Sequence, residues 1–128
     1  MLEVVTAVIK DDNGKILITK SNKEKQGIWK FPGGKIEVGE TDEEALAREI
    51  KEELNIEISV NNYITEKSFE YPENTINLIA YDAQYEFGKL NLQENEQYKW
   101  VDKNELRKYQ FDTSDEFIVK ELNKDNEF

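Results

Sequence analysis

The sequence predicts a single α+β domain. Its 128 residues suit one domain with a core of its own. Segments with strand patterns and segments with helical patterns follow one another without a regular β-α-β alternation. We see neither an internal repeat nor a linker. We therefore expect one domain over residues 1–128.

The elements before the first helix follow from β-branched runs and turn residues. The apolar run Val4–Ile9 predicts a central strand. Asn13-Gly14 favours a hairpin turn, with a returning strand over 16–19. Residues 21–27 are polar and predict a loop, and 28–31 predict a short strand ended by Pro32. Gly33-Gly34 then predicts a loop whose backbone can approach a ligand closely.

The first helix has start and stop signals. Thr41 and Glu44 have the spacing of a capping box, so the helix begins there. Asn55 tolerates the left-handed conformation that ends a helix, which therefore runs to about Leu54.

The second half alternates strands and turns before a last helix, which Ser114 or Asp115 is expected to cap. We predict a strand over 56–70 with a break at 61–62, a turn at 71–74, a strand over 75–87, a loop over 88–96, a strand over 98–101, a short helix over 103–108 and a last helix to Leu122.

Composition excludes several function classes. The net charge of −11 makes the chain a poor candidate for polymer nucleic acid or an anionic membrane. The absence of cysteine and histidine removes thiolate chemistry, disulfides and the commonest general base. The N-terminus has no signal-peptide pattern and no apolar run reaches 18 residues. We expect a cytoplasmic protein, and we predict neither membrane association nor a protein partner.

Charge is unevenly distributed. Residues 10–35 carry seven lysines and three acids, a net charge of +4, and the rest of the chain carries −15. Some of these lysines either belong to a solvated loop or face the acidic helix and help to hold an anion there.

The first helix concentrates like charges beside its buried face. At 100° per residue, Leu46, Ile50 and Leu54 form an apolar stripe, and Glu49, Glu52 and Glu53 line one edge of it. Such a cluster is either a solvated acidic face or a cation site, because a divalent ion reverses the repulsion. Oxygen ligands without histidine or cysteine select Mg²⁺, Mn²⁺ or Ca²⁺.

The loop and helix together resemble the Nudix signature, Gly-x5-Glu-x7-Arg-Glu-U-x-Glu-Glu-x-Gly-U, where U is bulky and aliphatic. The matching residues are Gly34, Glu40, Arg48, Glu49, Ile50, Glu52, Glu53, Asn55 and Ile56. Asn55 replaces the glycine of the pattern, and we expect no loss of activity from it. So many fixed positions make the resemblance specific.

The resemblance implies an α/β/α sandwich around a mixed β-sheet. The segments 31–41, 69–78 and 94–101 are similar to the MutT-type branch, which hydrolyses nucleoside triphosphates to a monophosphate and pyrophosphate. It also implies Mg²⁺ as cofactor, with Mn²⁺ as a substitute. The implied metal ligands are the Gly33 carbonyl, Glu49, Glu52, Glu53 and Glu94, with Glu96 in place of Glu94 if the register is shifted by two.

Catalytic and substrate roles follow from the same resemblance. Arg48 orients the carboxylates, and Glu40 supports the loop and helix. Glu53, Glu52 or Glu94 accepts a proton from water, and the sequence does not separate them. The implied substrate contacts are Lys20, Phe31, Gly34, Lys35, Phe69 and Asp115.

The base-binding part is open to two interpretations. Asp115 either reads the base or caps the last helix. Phe31, Phe69 and Tyr71 either flank the base or belong to the core. The expected substrate is an oxidised purine such as 8-oxo-dGTP, in nucleotide-pool sanitation. The alternatives are CTP or a modified pyrimidine triphosphate, or another nucleoside diphosphate derivative such as a nucleotide sugar or dinucleotide.

Overall fold

The structure, a computed structural model, describes residues 1–20, 27–92 and 97–124. The strands in these ranges are β1 Leu2–Lys10, β2 Ile16–Lys20, β3 Trp29–Lys30, β4 Gly33–Lys35, β5 Glu57–Glu70, β6 Thr75–Phe87 and β7 Gln97–Val101. The helices are α1 Asp42–Leu54 and α2 Thr113–Leu122, with a 3₁₀ helix at Lys103–Lys108. Neither α1 nor α2 has the length and apolar character of a membrane span.

Strand β1 lies at the centre of one mixed sheet. It runs parallel to β6 and antiparallel to β2 and β4, and the main strand order is β3-β2-β1-β6-β5. Strand β7 pairs antiparallel with β2. The continuous apolar run of β1 is typical of a strand covered on both faces. The predicted central strand and the predicted mixed sheet are confirmed.

A hydrophobic core lies on each face of the sheet. On one face, Val5, Ala7 and Ile9 pack with Leu46 and Ile50 of α1. The other face packs against α2 and the 3₁₀ helix, through residues that include Val8, Leu106, Ile118 and Val119. The expected α+β fold, an α/β/α sandwich, is confirmed.

The predicted turn and cap residues make the expected contacts. The side chain of Asp11 accepts from the backbone N–H groups of Asn13 and Lys15, both at 2.9 Å, and closes the β1–β2 turn. Thr41 and Glu44 form both hydrogen bonds of the capping box. Asn55 ends α1 in the left-handed conformation, with φ of 60°. The first helix therefore has the predicted bounds.

Three sequence-based expectations are wrong. Gly33 and Gly34 are part of a strand, because β4 pairs with Val5 and Thr6 of β1. Strand β5 continues through residues 61–62, where the register with β6 shifts instead of breaking. Helix α2 is capped by Asp112, whose side chain accepts from the Asp115 N–H at 3.1 Å, so neither Ser114 nor Asp115 is the cap.

Candidate active site

The carboxylate of Glu49 lies directly against the backbone of β4. Helix α1 packs on β4, and its buried stripe, Leu46, Ile50 and Leu54, fixes its rotation. A Cβ atom built on Gly34 would stand 2.3 Å from the Glu49 carboxyl carbon. A larger residue than glycine would displace this carboxylate, so Gly34 and the acidic helix form one site.

Arg48 ties the acidic residues together. Its Nε and Nη2 donate to the two oxygens of Glu40 at 2.6 and 2.9 Å, a bidentate pair. Its Nη1 donates to Glu49 at 3.0 Å and to Glu52 at 3.3 Å. Nη2 also donates to the Lys35 carbonyl at 3.1 Å. One guanidinium thus joins the helix, the β4 backbone and the loop between them.

Glu40 has a supporting position. The hydrogen bond from Arg48, together with the bond from the Glu37 N–H at 2.8 Å, lowers the pKa of Glu40 to about 2. The same bond raises the pKa of Arg48 further above its usual range. Glu40 therefore stays ionised at neutral pH and anchors the loop to Arg48.

Glu49 and Glu53 stand side by side, one helical turn apart. Glu53 is half-buried, and burial raises its pKa to about 7 despite the opposing charge of Lys30. The charge of Glu49 and a hydrogen bond between the two carboxyl groups also contribute to this raised pKa. The pair thus holds a proton near neutral pH, in a place where a cation would stabilise both carboxylates.

This donor set fits a hard divalent cation. Within the described ranges no group of three or more carboxylates lies close enough together to hold an ion. Glu52 accepts a hydrogen bond from Arg48 at 3.3 Å. Glu49 and Glu53 offer oxygen ligands only, as Mg²⁺ prefers. Gly33 precedes Gly34 in β4, and a Cβ atom added to Gly33 would meet the Val5 carbonyl oxygen at 2.0 Å. Glu94 and Glu96 are outside the described residues.

Asp115 is buried where α2 meets the end of β3. Its side chain is 7% exposed, and the backbone N–H of Phe31 hydrogen-bonds to it. Burial, helped by the charge of Asp112, raises the pKa of Asp115 to about 8 against this bond and the charge of Lys30. Its carboxyl group is therefore largely protonated at neutral pH and can both donate and accept a hydrogen bond.

Two predicted substrate contacts are aromatic residues with core neighbours. Phe31 is 3% exposed and stacks on Phe111 at 5.2 Å between ring centroids. Phe69 is partly buried and meets Phe117 edge-on at 6.2 Å. Phe31 adjoins Asp115 through its backbone, while its ring fills the core.

The two predicted lysine contacts have different neighbours. Lys20 places its ammonium 5.4 Å from the ring centroid of Trp29. Lys35 is exposed at the end of β4, next to Gly34, and its carbonyl accepts from Arg48. Lys35 is therefore joined to Arg48 through its backbone, and the side chain of Lys20 lies against the aromatic core.

Sequence reasoning missed Lys30 as a site residue. It lies in β3 between Trp29 and Phe31, whose rings both belong to the core on the α2 side. Lys30 is exposed, and its charge acts on both Glu53 and Asp115. A lysine that alternates with two buried aromatic residues was the available signal.

The chain is similar to a described family and to several known proteins. The family model described as the NUDIX domain matches residues 2–122. The CTP pyrophosphohydrolase of Escherichia coli (strain K12) is 36% identical over 111 residues, which cover 85% of this chain and 82% of that protein. The 8-oxo-dGTP diphosphatase of Haemophilus influenzae is 30% identical over 125 residues, which cover 95% and 91%.

The fold also matches a solved structure. The solution structure of the E. coli ORF135 protein superimposes with a TM-score of 0.85 and 32% sequence identity. The match covers 99% of this chain and 91% of that one. The likeness therefore includes the sheet and both helical layers, as well as the signature region.

Proposed function

The chain belongs to the Nudix family and is a hydrolase of the MutT type, and from this premise we propose that it converts a nucleoside triphosphate and water to a nucleoside monophosphate and pyrophosphate. The observation that carries the proposal is the carboxyl pair of Glu49 and Glu53, which lies beside the glycine strand β4. We assign the reaction to one domain over residues 1–128. Because free nucleotides are the proposed substrates, we place the enzyme in the cytoplasm.

Nudix hydrolases use divalent metal ions such as Mg²⁺. We assign the binding of this ion to Glu49, Glu53 and the Gly33 carbonyl. Glu52 and Glu94 complete the proposed set of ligands. Bound there, the ion would neutralise the diphosphate and make water a better nucleophile. Mn²⁺ is the expected substitute.

The protein's own groups divide the remaining tasks. Arg48 holds Glu49 in place and keeps Glu52 within reach of the site. We assign to Glu53 the proton that water loses as its oxygen bonds to phosphorus, because the pKa of Glu53 is raised to about 7, close to neutral pH. The bridging oxygen of the α–β anhydride leaves with the electron pair of the broken bond. Lys35 and Lys20 are the proposed contacts to the outgoing phosphates.

Asp115 supports an oxidised purine as the leading substrate. A protonated carboxyl group donates one hydrogen bond and accepts another, side by side. The edge of 8-oxoguanine offers the matching pair, an O6 acceptor and an N7–H donor, whereas unmodified guanine has an acceptor at N7. Asp115 is thus suited to select 8-oxo-dGTP over dGTP.

Cytosine nucleotides are the second candidate. Cytosine offers an N3 acceptor next to an N4 amino donor, which the same carboxyl group can also pair with. The 36% identity to a CTP pyrophosphohydrolase favours this alternative.

The test is pyrophosphate release, with Mg²⁺, from dGTP, 8-oxo-dGTP, CTP, dCTP and 5-methyl-dCTP. We expect the highest kcat/KM with 8-oxo-dGTP and equal yields of monophosphate and pyrophosphate. Preference for cytosine nucleotides would make the second candidate the function. Release from none of them would refute both, and nucleotide sugars and dinucleotides would be assayed next.

A further inference from the structure

Lys30 lies between the two halves of the proposed site. The backbone N–H of the next residue, Phe31, binds Asp115 at the base end. The residues after Phe31 lead through Pro32 into β4, which carries the Glu49 carboxylate at the diphosphate end. Lys30 thus stands in β3 where the chain passes from one end to the other.

The direction of its side chain follows from strand register. Lys30 pairs with Thr19 of β2, and Lys20 pairs with Trp29. Trp29 packs in the core on the α2 side. Because neighbouring residues of a strand point to opposite faces, Lys30 is on the α1 side, the side of Glu53.

The ammonium of Lys30 has no close counter-ion in the part of the chain that the structure describes. None of the ion pairs formed among residues 1–20, 27–92 and 97–124 involves Lys30. It nevertheless acts electrostatically on both Glu53 and Asp115. An exposed cation placed in this way, in a chain of net charge −11, is available to an anionic ligand.

We propose that Lys30 binds the phosphate that remains on the nucleoside, the α-phosphate, and so holds the monophosphate half of the substrate. This inference rests on the proposed function. A nucleotide with its base at Asp115 and its outer phosphates at Glu49 and Glu53 has its ribose and α-phosphate between them. Of these two groups only the phosphate is an anion, and lysine binds phosphate as a point charge.

The proposal predicts that Lys30 contributes to the affinity for one product, the monophosphate, and not to the affinity for pyrophosphate. The monophosphate keeps the α-phosphate after cleavage, so Lys30 contributes to its affinity, and pyrophosphate lacks this group. A charge-assisted contact of this kind changes affinity by about ten- to a hundredfold.

The test is inhibition by each product in the wild type, Lys30→Gln and Lys30→Arg, with Lys89→Gln as matched control. Lys89 is exposed and lies outside the site, and its replacement by glutamine removes the same single positive charge. The probes are dGMP and CMP, the corresponding nucleosides, and pyrophosphate. We expect Lys30→Gln to weaken monophosphate inhibition at least about tenfold. We expect pyrophosphate and nucleoside inhibition to stay within about twofold, Lys30→Arg to retain most of the effect, and Lys89→Gln to behave as wild type.

Two results would overturn the inference. Equal monophosphate inhibition of wild type and Lys30→Gln would remove the phosphate contact. A matching loss of nucleoside inhibition would place Lys30 at the base instead. Failure of the proposed function would look different, because the wild type itself would then release no pyrophosphate from any triphosphate. Lys30 is exposed, so a melting curve of each variant suffices to show that its fold is kept.

Discussion

Replacing Gly34 by alanine tests the contact that joins β4 to the acidic helix. The added Cβ would stand 2.3 Å from both the carboxyl carbon and one oxygen of Glu49. Ordinary carbon contacts are about 3.5 Å, so the carboxylate must move by about 1 Å. The end of a glutamate side chain can make this shift while the fold remains. A displacement of about 1 Å at a reacting centre costs about a hundredfold in rate, or about 3 kcal/mol in the barrier.

The assay is kcat for pyrophosphate release with saturating Mg²⁺, together with the melting temperature. Gly34→Ala should lose about two orders of magnitude in kcat and melt within about 3 °C of the wild type. Gly33→Ala is the matched comparison, because its Cβ would stand 2.0 Å from the Val5 carbonyl, which is backbone and cannot turn away. Overpacking there should lower the melting temperature by about 5–12 °C. Full activity in Gly34→Ala would refute the proposed role of the Glu49 carboxylate.

Three further predictions concern pH, metal binding and the helix end. Since the pKa of Asp115 rises from an ordinary 3.8 to about 8 on folding, the folded state binds its proton more tightly, and stability falls as pH rises between these values. Urea unfolding should therefore show that, from pH 4 to pH 8, the free energy of unfolding of the wild type falls by a few kcal/mol relative to that of Asp115→Asn, so that the variant gains at high pH. A constant difference between the two proteins across this range would contradict the prediction. Mn²⁺ at a hundred times its Kd should stabilise the wild type by about 3 kcal/mol in a thermal melt. The double variant Glu49→Gln/Glu53→Gln should lose this stabilisation. Equal stabilisation of both proteins would place the ion elsewhere. Asn55→Gly should keep kcat and change stability by less than about 1 kcal/mol, because Asn55 already adopts the left-handed conformation; a large loss of activity would give its side chain a role in the site.

The first helix was predictable from sequence because its signals are local. The capping box, the apolar stripe and Asn55 each act within a few residues, and all three are present. Arg48 forms hydrogen bonds with Glu40, Glu49 and Glu52, and the pair with Glu52 has the i,i+4 spacing of a helix. The orienting role of Arg48 stays a prediction.

The errors in secondary structure arose where contacts between distant parts of the chain determine the local conformation. Gly33-Gly34 has turn propensity, but pairing with β1 makes it a strand. Residues 61–62 favour a turn, but pairing with β6 continues on both sides of them and a register shift accommodates them. Asp112 caps α2, two residues before Ser114 and three before Asp115, the caps that the sequence suggested.

The electrostatic environment of Asp115 and Lys30 was also not predictable from the sequence. The raised pKa of Asp115 depends on its burial between α2 and β3, which no local pattern reports. Lys30 gains its position from the register of β3 with β2 and from the nearness of two helices. Sequence spacing alone gave it no more weight than its neighbouring lysines.

The most direct test of the account is the single-turnover rate of triphosphate hydrolysis by Glu53→Gln with saturating Mg²⁺. Glutamine keeps the shape of the side chain but does not accept the proton of water. We expect that rate to fall by about 10²- to 10⁴-fold. The circular dichroism spectrum and the melting temperature should show that the fold is unchanged. Turnover at the wild-type rate would contradict the assignment of the acidic helix as the catalytic site.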